Sequence, residues 1–505
     1  MLEHRIRHIG LRSRVVMAEE AQTWIRDGMT LGVSGFTKSG DAKAVLQALA
    51  NRVEQSGERL GINVYSGASL GETDGILSAQ HLIRRRLPYQ SDGLMRKAIN
   101  AGEIDYVDQH LSHTAEFLRG GSLGEIDLAI IEATAITEDG GIVPTTSVGN
   151  SPIFVQRAKH VIVEINLNIP EAFEGMHDIY QPLCRPHRQP IPITSVRDRI
   201  GRTSIPCDPE KIVAIVPSTL SDTPSSIVPA DDDTLRMAGY ILDFLGHEVR
   251  HGRLPEQLAP LQSGVGSVSN AVLGGLVNSP FKHLEIYTEV MQDAVFDLLD
   301  AGKVSFASAS SLTLSEHKAR RVTNDIERYR DRIMLRPQEI SNHPEVVRRL
   351  GVIAMNTALE VDIYGNVNST HVFGTHMMNG IGGSGDFARN AALTVFVTKS
   401  VAKGGSISSI VPFVTHVDHT EHDVDVLVTE RGLADLRGLS PRQRARTIID
   451  KLAHPDYRDA LLDYFTRAQR RGGQTPHLLE EALSWHQRFR ETGDMRKTKN
   501  LARVM

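Results

Sequence analysis

The chain has 505 residues, 40% of them hydrophobic and 23% charged, with a formal net charge of -5. That is enough apolar material for two large domains, without the basic domain or stripe of a nucleic-acid binder or an uninterrupted apolar window long enough to span a membrane. Two cysteines, Cys184 and Cys207, exclude a disulfide framework by count and make the reducing cytoplasm the expected location of a soluble protein.

From the amino terminus, the basic stretch His4–Arg14 runs directly into Ala18–Ile25, which reads as the first helix of a domain rather than the end of a transit segment. Short apolar runs at Met29–Gly35, Ile62–Ser66, Ile126–Glu132 and His160–Ile165 predict buried strands. Helical stretches such as Ala42–Arg52 and Leu94–Ala101 separate them. Lys38 and Lys43 flank a strand-to-helix turn and read as solvated lysines. His110 and His113 read as hydrogen-bonded structural residues. A passage from about 166 to 235 reads as loop. Thr234–Glu248 then predicts a helix, and strands are expected near 284–288, 303–307, 352–354, 393–398, 407–412 and 424–428. Strands alternating with helices imply parallel sheets with both faces covered. The fold class is α/β, with two tandem open domains, 1–230 and 231–505. The tail from Pro476 onward reads as an amphipathic helix around Leu478, Leu479, Leu483 and Trp485, followed by a frayed end.

Chemistry concentrates in Leu284–Asp293. Residues 284–288 alternate as a strand does, while Val290, Met291, Val295, Leu298 and Leu299 recur at helical spacing, which puts Glu289 at a strand-to-helix corner. Ligands of open α/β sheets collect beyond the carboxyl ends of strands, where helix starts offer free N–H groups. Two glycine-rich loops flank Glu289 in sequence, Leu261–Val272 and Met377–Phe387, the second with four glycines between 380 and 385. Glycine lets backbone approach a ligand and lets successive N–H groups form an anion nest. A carboxylate nucleophile with two such nests points to acyl transfer through an oxyanion. A rival constellation is His416-Val-Asp-His-Thr-Glu-His422, whose imidazoles and carboxylates would suit a metal-dependent hydrolase. Three-residue spacing in an extended loop does not put those histidines on one face. No metal site is therefore assigned.

Over nearly its full length the chain resembles the acetyl-CoA hydrolase/transferase group of class I coenzyme A transferases. The resemblance rests on Gly35-Phe-Thr-Lys-Ser-Gly-Asp-Ala-Lys-Ala-Val45, the Gly-Ala-Ser run at 67–69, Arg96-Lys-Ala-Ile-Asn-Ala-Gly102 and Asp108-Gln-His-Leu-Ser112. It continues through Glu132-Ala-Thr134, Pro186-His-Arg-Gln-Pro-Ile-Pro-Ile193, Gln338-Glu-Ile-Ser-Asn-His-Pro344, Gly365-Asn-Val-Asn-Ser-Thr-His371 and Thr429-Glu-Arg-Gly-Leu-Ala-Asp-Leu-Arg437.

The resemblance implies two α/β domains of the class I type, with the catalytic glutamate in the second. It implies that Glu289 attacks an acyl-CoA thioester and then carries coenzyme A as a glutamyl thioester. Val265 and Gly383 would donate backbone N–H groups to the oxyanion. Gly264, Val265, Gly266, Ser267, Val268, Asn379, Gly383 and Lys403 would contact coenzyme A, and Asn342 and Glu430 would support the nucleophile and acyl pocket. It also implies an active-site arginine in the 218–229 stretch, where this chain has Thr223, Ser225 and Ser226 and no cation. The expected substrates are a short-chain acyl-CoA (acetyl, propionyl or succinyl) and a free carboxylate. Coenzyme A enters as substrate, so no cofactor is called for, and a homodimer is the family expectation. Hydrolysis by the same site is the alternative.

Overall fold

Of the eight residues Ile126–Ala133, all but Asp127 are buried, the signature of a strand covered on both faces. The computed structural model describes residues 2–226, 228–264 and 266–497. Its contacts divide the chain into a first unit, Met1–Ile227 with Pro260–Gln262 and Lys282–Leu350, and a second, Val228–Ala259 with Ser263–Phe281 and Gly351–Met505.

In the first unit, β1 (Thr30–Val33), β2 (Ile62–Tyr65), β3 (Ile83–Leu87), β4 (Asp105–Tyr106), β5 (Ile126–Ala133), β6 (Ala158–Asn166) and β7 (Ile212–Ser218) form one sheet. Its order is β4-β3-β2-β1-β5-β6-β7, and every neighbouring pair is parallel. The helix Ala44–Ser56 buries Val45, Leu46, Leu49 and Val53 at three- and four-residue spacing. Its first turn is capped from the sheet, since the Glu164 carboxylate accepts the N–H groups of Lys43, Ala44 and Val45 at 2.8–3.0 Å. A buried anion at a helix start both satisfies orphan donors and complements the dipole. A second parallel group in this unit comprises β8 (Leu284–Tyr287), β9 (Val304–Ala309) and β10 (Ile333–Leu335), with Leu261 paired to Ile286 of β8.

The second unit contains β11 (Ile353–Thr357), β12 (Leu393–Val397) and β13 (Val426–Thr429) in parallel. A tight turn then folds β14 (Gly432–Asp435) back antiparallel on β13. Helix Asp232–Arg250 starts on the Asp231 carboxylate, which accepts the Thr234 N–H at 2.9 Å. It carries two more aspartates in its first turn and Arg250 in its last, as the dipole favours. Phe396, Ile448, Ile449, Leu461, Phe465 and Trp485 belong to this unit's core.

Most expected strands recur within a residue or two, with informative differences. Val290 and Met291 are not helical: they pair as a two-residue strand with Ser311 and Leu312, and the helix starts at Asp293. The passage read as loop contains β7, whose Pro217 is tolerated because β7 is an edge strand. The Ile83-Arg-Arg-Arg-Leu87 run escaped notice because of its three arginines. Arg86 nonetheless points inward, fully buried against Asp74 at 3.1 Å. Residues 407–412 give two dipeptide strands outside the parallel group. The tail helix is Ser484–Thr492, with Trp485 buried, and residues beyond 497 lie outside the described residues. A single cut at 230 also differs from the contact-defined division, because Lys282–Leu350, with Glu289, packs in the first unit. Both cysteines are free. Among the described residues no helix is long and apolar enough to cross a membrane.

Candidate active site

Glu289 lies just beyond the carboxyl end of β8. Thr288 still donates its N–H to Ser308 at 3.0 Å, and the Glu289 carbonyl then accepts the N–H groups of both Ser310 (2.9 Å) and Ser311 (3.2 Å). The backbone is thereby held at the point where β8 and β9 have ended. Below it, the Tyr287 hydroxyl donates to the Ile340 carbonyl at 2.7 Å, tying β8 to the short helix Gln338–Ser341. The Asn342 N–H closes on the Gln338 carbonyl at 2.9 Å, so this fully buried side chain leaves the helix end in a fixed direction. Its Nδ2 donates to Glu289 Oε2 at 2.9 Å.

Glu289 keeps part of its surface accessible, while its carboxyl is surrounded closely enough to be desolvated. Burial pushes its pKa up to about 7, and the Asn342 hydrogen bond only partly offsets this. At 1.36 kcal/mol per unit, ionising it in the folded protein costs about 3 kcal/mol more than in water. A carboxylate held by one neutral donor, with lone pairs to spare, is a stronger nucleophile than one satisfied by ion pairs.

The other candidates belong to the second unit. The Gly264 N–H donates to the Met355 carbonyl at 2.9 Å. A Cβ at Gly264 would come within 3.2 Å of Asn356 Oδ1 and 3.4 Å of the Met355 carbonyl. Gly266 adopts φ +151° immediately before the helix Ser267–Leu276, in which Val268 is buried. Val265 lies outside the described residues. In the other loop, Asn379 is followed by Gly382 at φ +57°, and Gly383 stands just before the short helix Ser384–Ala388. This loop is braced from below, since Ser384 Oγ donates to the Ile381 carbonyl at 2.7 Å and meets His419 Nε2 at 3.1 Å. Glu430 follows β13, is buried, and accepts the Ser400 N–H at 2.8 Å and its hydroxyl, with Arg431 Nε at 3.1 Å. Lys403 is exposed on a hairpin tip.

The histidine run 416–422 does not act as one group. His419 is buried against Phe396 at 4.7 Å, whereas His416 is exposed, lies with its ring 3.9 Å from that of His371 at a 34° tilt and meets Asp418 at 3.3 Å. His422 is also exposed. Among the described residues no three His, Cys, Asp or Glu side chains converge as a metal-binding group.

Sequence reading missed a second buried cluster in the first unit, and Lys43 is a correction to it. Far from solvated, its Nζ lies 2.8 Å from Glu132, 3.0 Å from Asp222 and 3.5 Å from Asp41. This is the crevice where the strand order reverses between β1 and β5. One ammonium shared by three carboxylates explains why Lys43 is raised well above its ordinary pKa while burial also pushes Glu132 upward. Asp222 belongs to the stretch where an arginine was expected, so a cation does reach that stretch, from a different part of the chain. Beside it, a cavity of about 560 Å³ is lined by Thr146, Asn166, Asp222, Thr223, Leu314 and Arg320, among others. The only sequence signal was the Lys-Ala-Val motif together with Glu132-Ala-Thr134, and nothing in spacing joins them.

Comparison with known proteins fits this geometry. The acetyl-CoA hydrolase/transferase N-terminal domain matches residues 3–217 and the corresponding C-terminal domain matches residues 319–465. The chain is 52% identical over 496 residues to a succinyl-CoA:acetate CoA-transferase from Clostridium kluyveri, covering 98% of this chain and 92% of that one. It is 45% identical over 514 residues to an acetyl-CoA hydrolase from Saccharomyces cerevisiae, covering 98% of each. Solved structures share the fold at lower identity. RipA from Yersinia pestis aligns with TM-score 0.70 and 23% identity, over 91% of this chain and 98% of that one. A 4-hydroxybutyrate CoA-transferase from Porphyromonas gingivalis gives 0.62 and 21%, over 90% and 98%. The chain is thus an enzyme of the acetyl-CoA hydrolase/transferase family.

Proposed function

We propose that this protein moves coenzyme A between a short-chain acyl-CoA (acetyl, propionyl or succinyl) and a free carboxylate, through a glutamyl-CoA thioester on Glu289. The observation that carries the reading is the Glu289 carboxylate itself: half-buried, raised to about 7, and held among the described residues by the single neutral donor Asn342. The carboxylate oxygen attacks the thioester carbonyl, the C–S bond breaks, and coenzyme A thiolate leaves an acyl-glutamyl anhydride. The thiolate then attacks the glutamyl carbonyl, releasing the first carboxylate and leaving Glu289 as its thioester. An acceptor carboxylate repeats both steps in reverse and frees Glu289. No net proton, metal or redox partner enters the balance.

On this reading the N–H groups of Val265 and Gly383 stabilise the oxyanions, each worth roughly 3 to 4 kcal/mol. Gly264, Gly266, Ser267, Val268, Asn379 and Lys403 hold coenzyme A, whose length supplies binding energy to orient a small reacting centre. Glu430 supports the acyl pocket. The protein would act as a cytoplasmic homodimer.

The yeast relative named acetyl-CoA hydrolase favours a second reading, in which water intercepts the same thioester. Two-substrate kinetics separate the two. Transfer predicts parallel double-reciprocal lines with acetyl-CoA and succinate, and succinyl-CoA appearing much faster than free coenzyme A. If saturating succinate, acetate and propionate all leave acyl-CoA consumption unchanged while free coenzyme A accumulates at the full rate, the hydrolase reading stands instead.

A further inference from the structure

Two bulky residues of the second unit adopt left-handed backbone and meet face to face. Phe373 (φ +54°) tips the hairpin of strands His371–Val372 and His376–Met377, and Lys403 (φ +47°) tips that of Val401–Ala402 and Ile407–Ser408. Left-handed φ is uncommon for such side chains and persists where the surroundings impose it. The Lys403 ammonium lies 4.5 Å from the Phe373 ring centre and 5.3 Å from that of Phe489. The two rings stack 5.3 Å apart, only 6° from parallel. Phe489 comes from the helix Ser484–Thr492 and is partly buried against the unit's core, which gives the arrangement a rigid base.

What holds the ammonium matters for what it can bind. Among the described residues no ion pair to a carboxylate involves Lys403, in contrast to Lys43 or Lys318. Aromatic faces attract a cation without accepting its charge, so its N–H groups stay available to an external anion. A lysine also loses much rotamer freedom on binding, and a side chain already seated on rings loses less. We propose that Phe373 and Phe489 form an aromatic seat that holds the Lys403 ammonium ready for a phosphate group of coenzyme A. They are positioning residues for the nucleotide end of the acyl donor. The proposal rests on the reading above that Lys403 contacts coenzyme A, and adds how that contact is prepared. The hairpin bearing Phe373 runs directly into the glycine loop that contains Gly383, so seat and loop share one support.

The test is equilibrium binding, which needs no turnover. Affinities for coenzyme A and for pantetheine, which lacks every phosphate and the nucleotide, are measured by calorimetry or competition on the full-length protein. Phe373→Leu and Phe489→Leu should each weaken coenzyme A about three- to fivefold and leave pantetheine unchanged. Lys403→Met should weaken coenzyme A further, and Phe373→Leu should then cost nothing in the Lys403→Met background. Phe373→Tyr, which keeps the ring, should bind coenzyme A as the unaltered protein does, and it serves if a leucine variant fails to fold. Equal losses for coenzyme A and pantetheine, a full Phe373→Leu effect persisting without Lys403, or a Phe373→Tyr loss as large as that of leucine would each overturn the seat. Covalent labelling of Glu289 at saturating acyl-CoA is insensitive to affinity changes of this size. A labelled Glu289 with an inert Phe373→Leu removes this proposal alone, whereas no coenzyme A binding by the unaltered protein removes both.

Discussion

Glu289 and Glu430 stand at equivalent points of their strands, each just past the carboxyl end of a parallel β-strand, β8 and β13, yet their surroundings differ in kind. Glu430 is met by a backbone N–H, a hydroxyl and a guanidinium, so most of its acceptor capacity is used. Among the described residues Glu289 is met by one amide, and it is pushed up to about 7 by burial. The same strand-end location thus yields an anchored carboxylate in one case and an under-solvated one in the other. On the proposed reading, the number of donors, rather than location, separates support from nucleophile.

The largest effect should separate the pair outright. Glu289→Gln should lower transfer by about 10⁴-fold or more, as removal of a covalent nucleophile does, whereas Glu430→Gln should cost about 10- to 100-fold. Equal losses in steady-state assays would erase the distinction. Next, Asn342→Ala removes the donor that lowers the Glu289 pKa and should cut kcat/KM by roughly 10²-fold at pH 7. In the unaltered enzyme kcat/KM should climb with unit slope to about pH 7 and then level off, because only the ionised carboxyl attacks. In Asn342→Ala that midpoint should move upward, and a profile already flat from pH 5 would contradict the raised pKa.

The effect on stability has a defined sign. A carboxyl raised from 4.5 to about 7 by folding contributes stability that is fully present below pH 4.5 and is lost as pH rises through 7. Glu289→Gln cannot ionise, so it should be more stable than the unaltered protein at pH 8, by about 3 kcal/mol, and no more stable at pH 4. Glu430→Gln gives up bonds to a charged acceptor and should lower stability at pH 8. Thermal melts at both pH values check the two signs together.

Much of this was legible in the chain itself. Buried parallel strands announce themselves as short apolar runs, which is why β1, β5 and β8 were found. β3 was missed because three arginines hide a strand whose inward member is neutralised by Asp74, a partner twelve residues away. Val290 and Met291 suited helical spacing equally well, and only pairing with Ser311 and Leu312, a contact invisible to local pattern, makes them extended. Glu289 was legible because a strand, a carboxylate and a helix follow one another directly. The support beneath it was not, since Ser310 and Ser311 reach it through backbone N–H groups and Ile340 holds the neighbouring Tyr287 through a backbone carbonyl, contacts that no side-chain pattern encodes. Lys43 was misread for the same reason: its three carboxylates come from the turn after β1, from β5 and from a loop beyond β7. Local sequence gives a lysine no sign that it will be buried.

The most direct test is to catch the thioester. The protein is incubated with acetyl-CoA in the absence of a carboxylate acceptor, digested, and analysed by mass spectrometry, with borohydride reduction in parallel. The mass of coenzyme A should be added to the peptide holding Glu289, borohydride should inactivate the incubated enzyme, and neither should occur in Glu289→Gln. An adduct on another peptide, an adduct that survives Glu289→Gln, or rapid transfer with no adduct would contradict the proposed thioester.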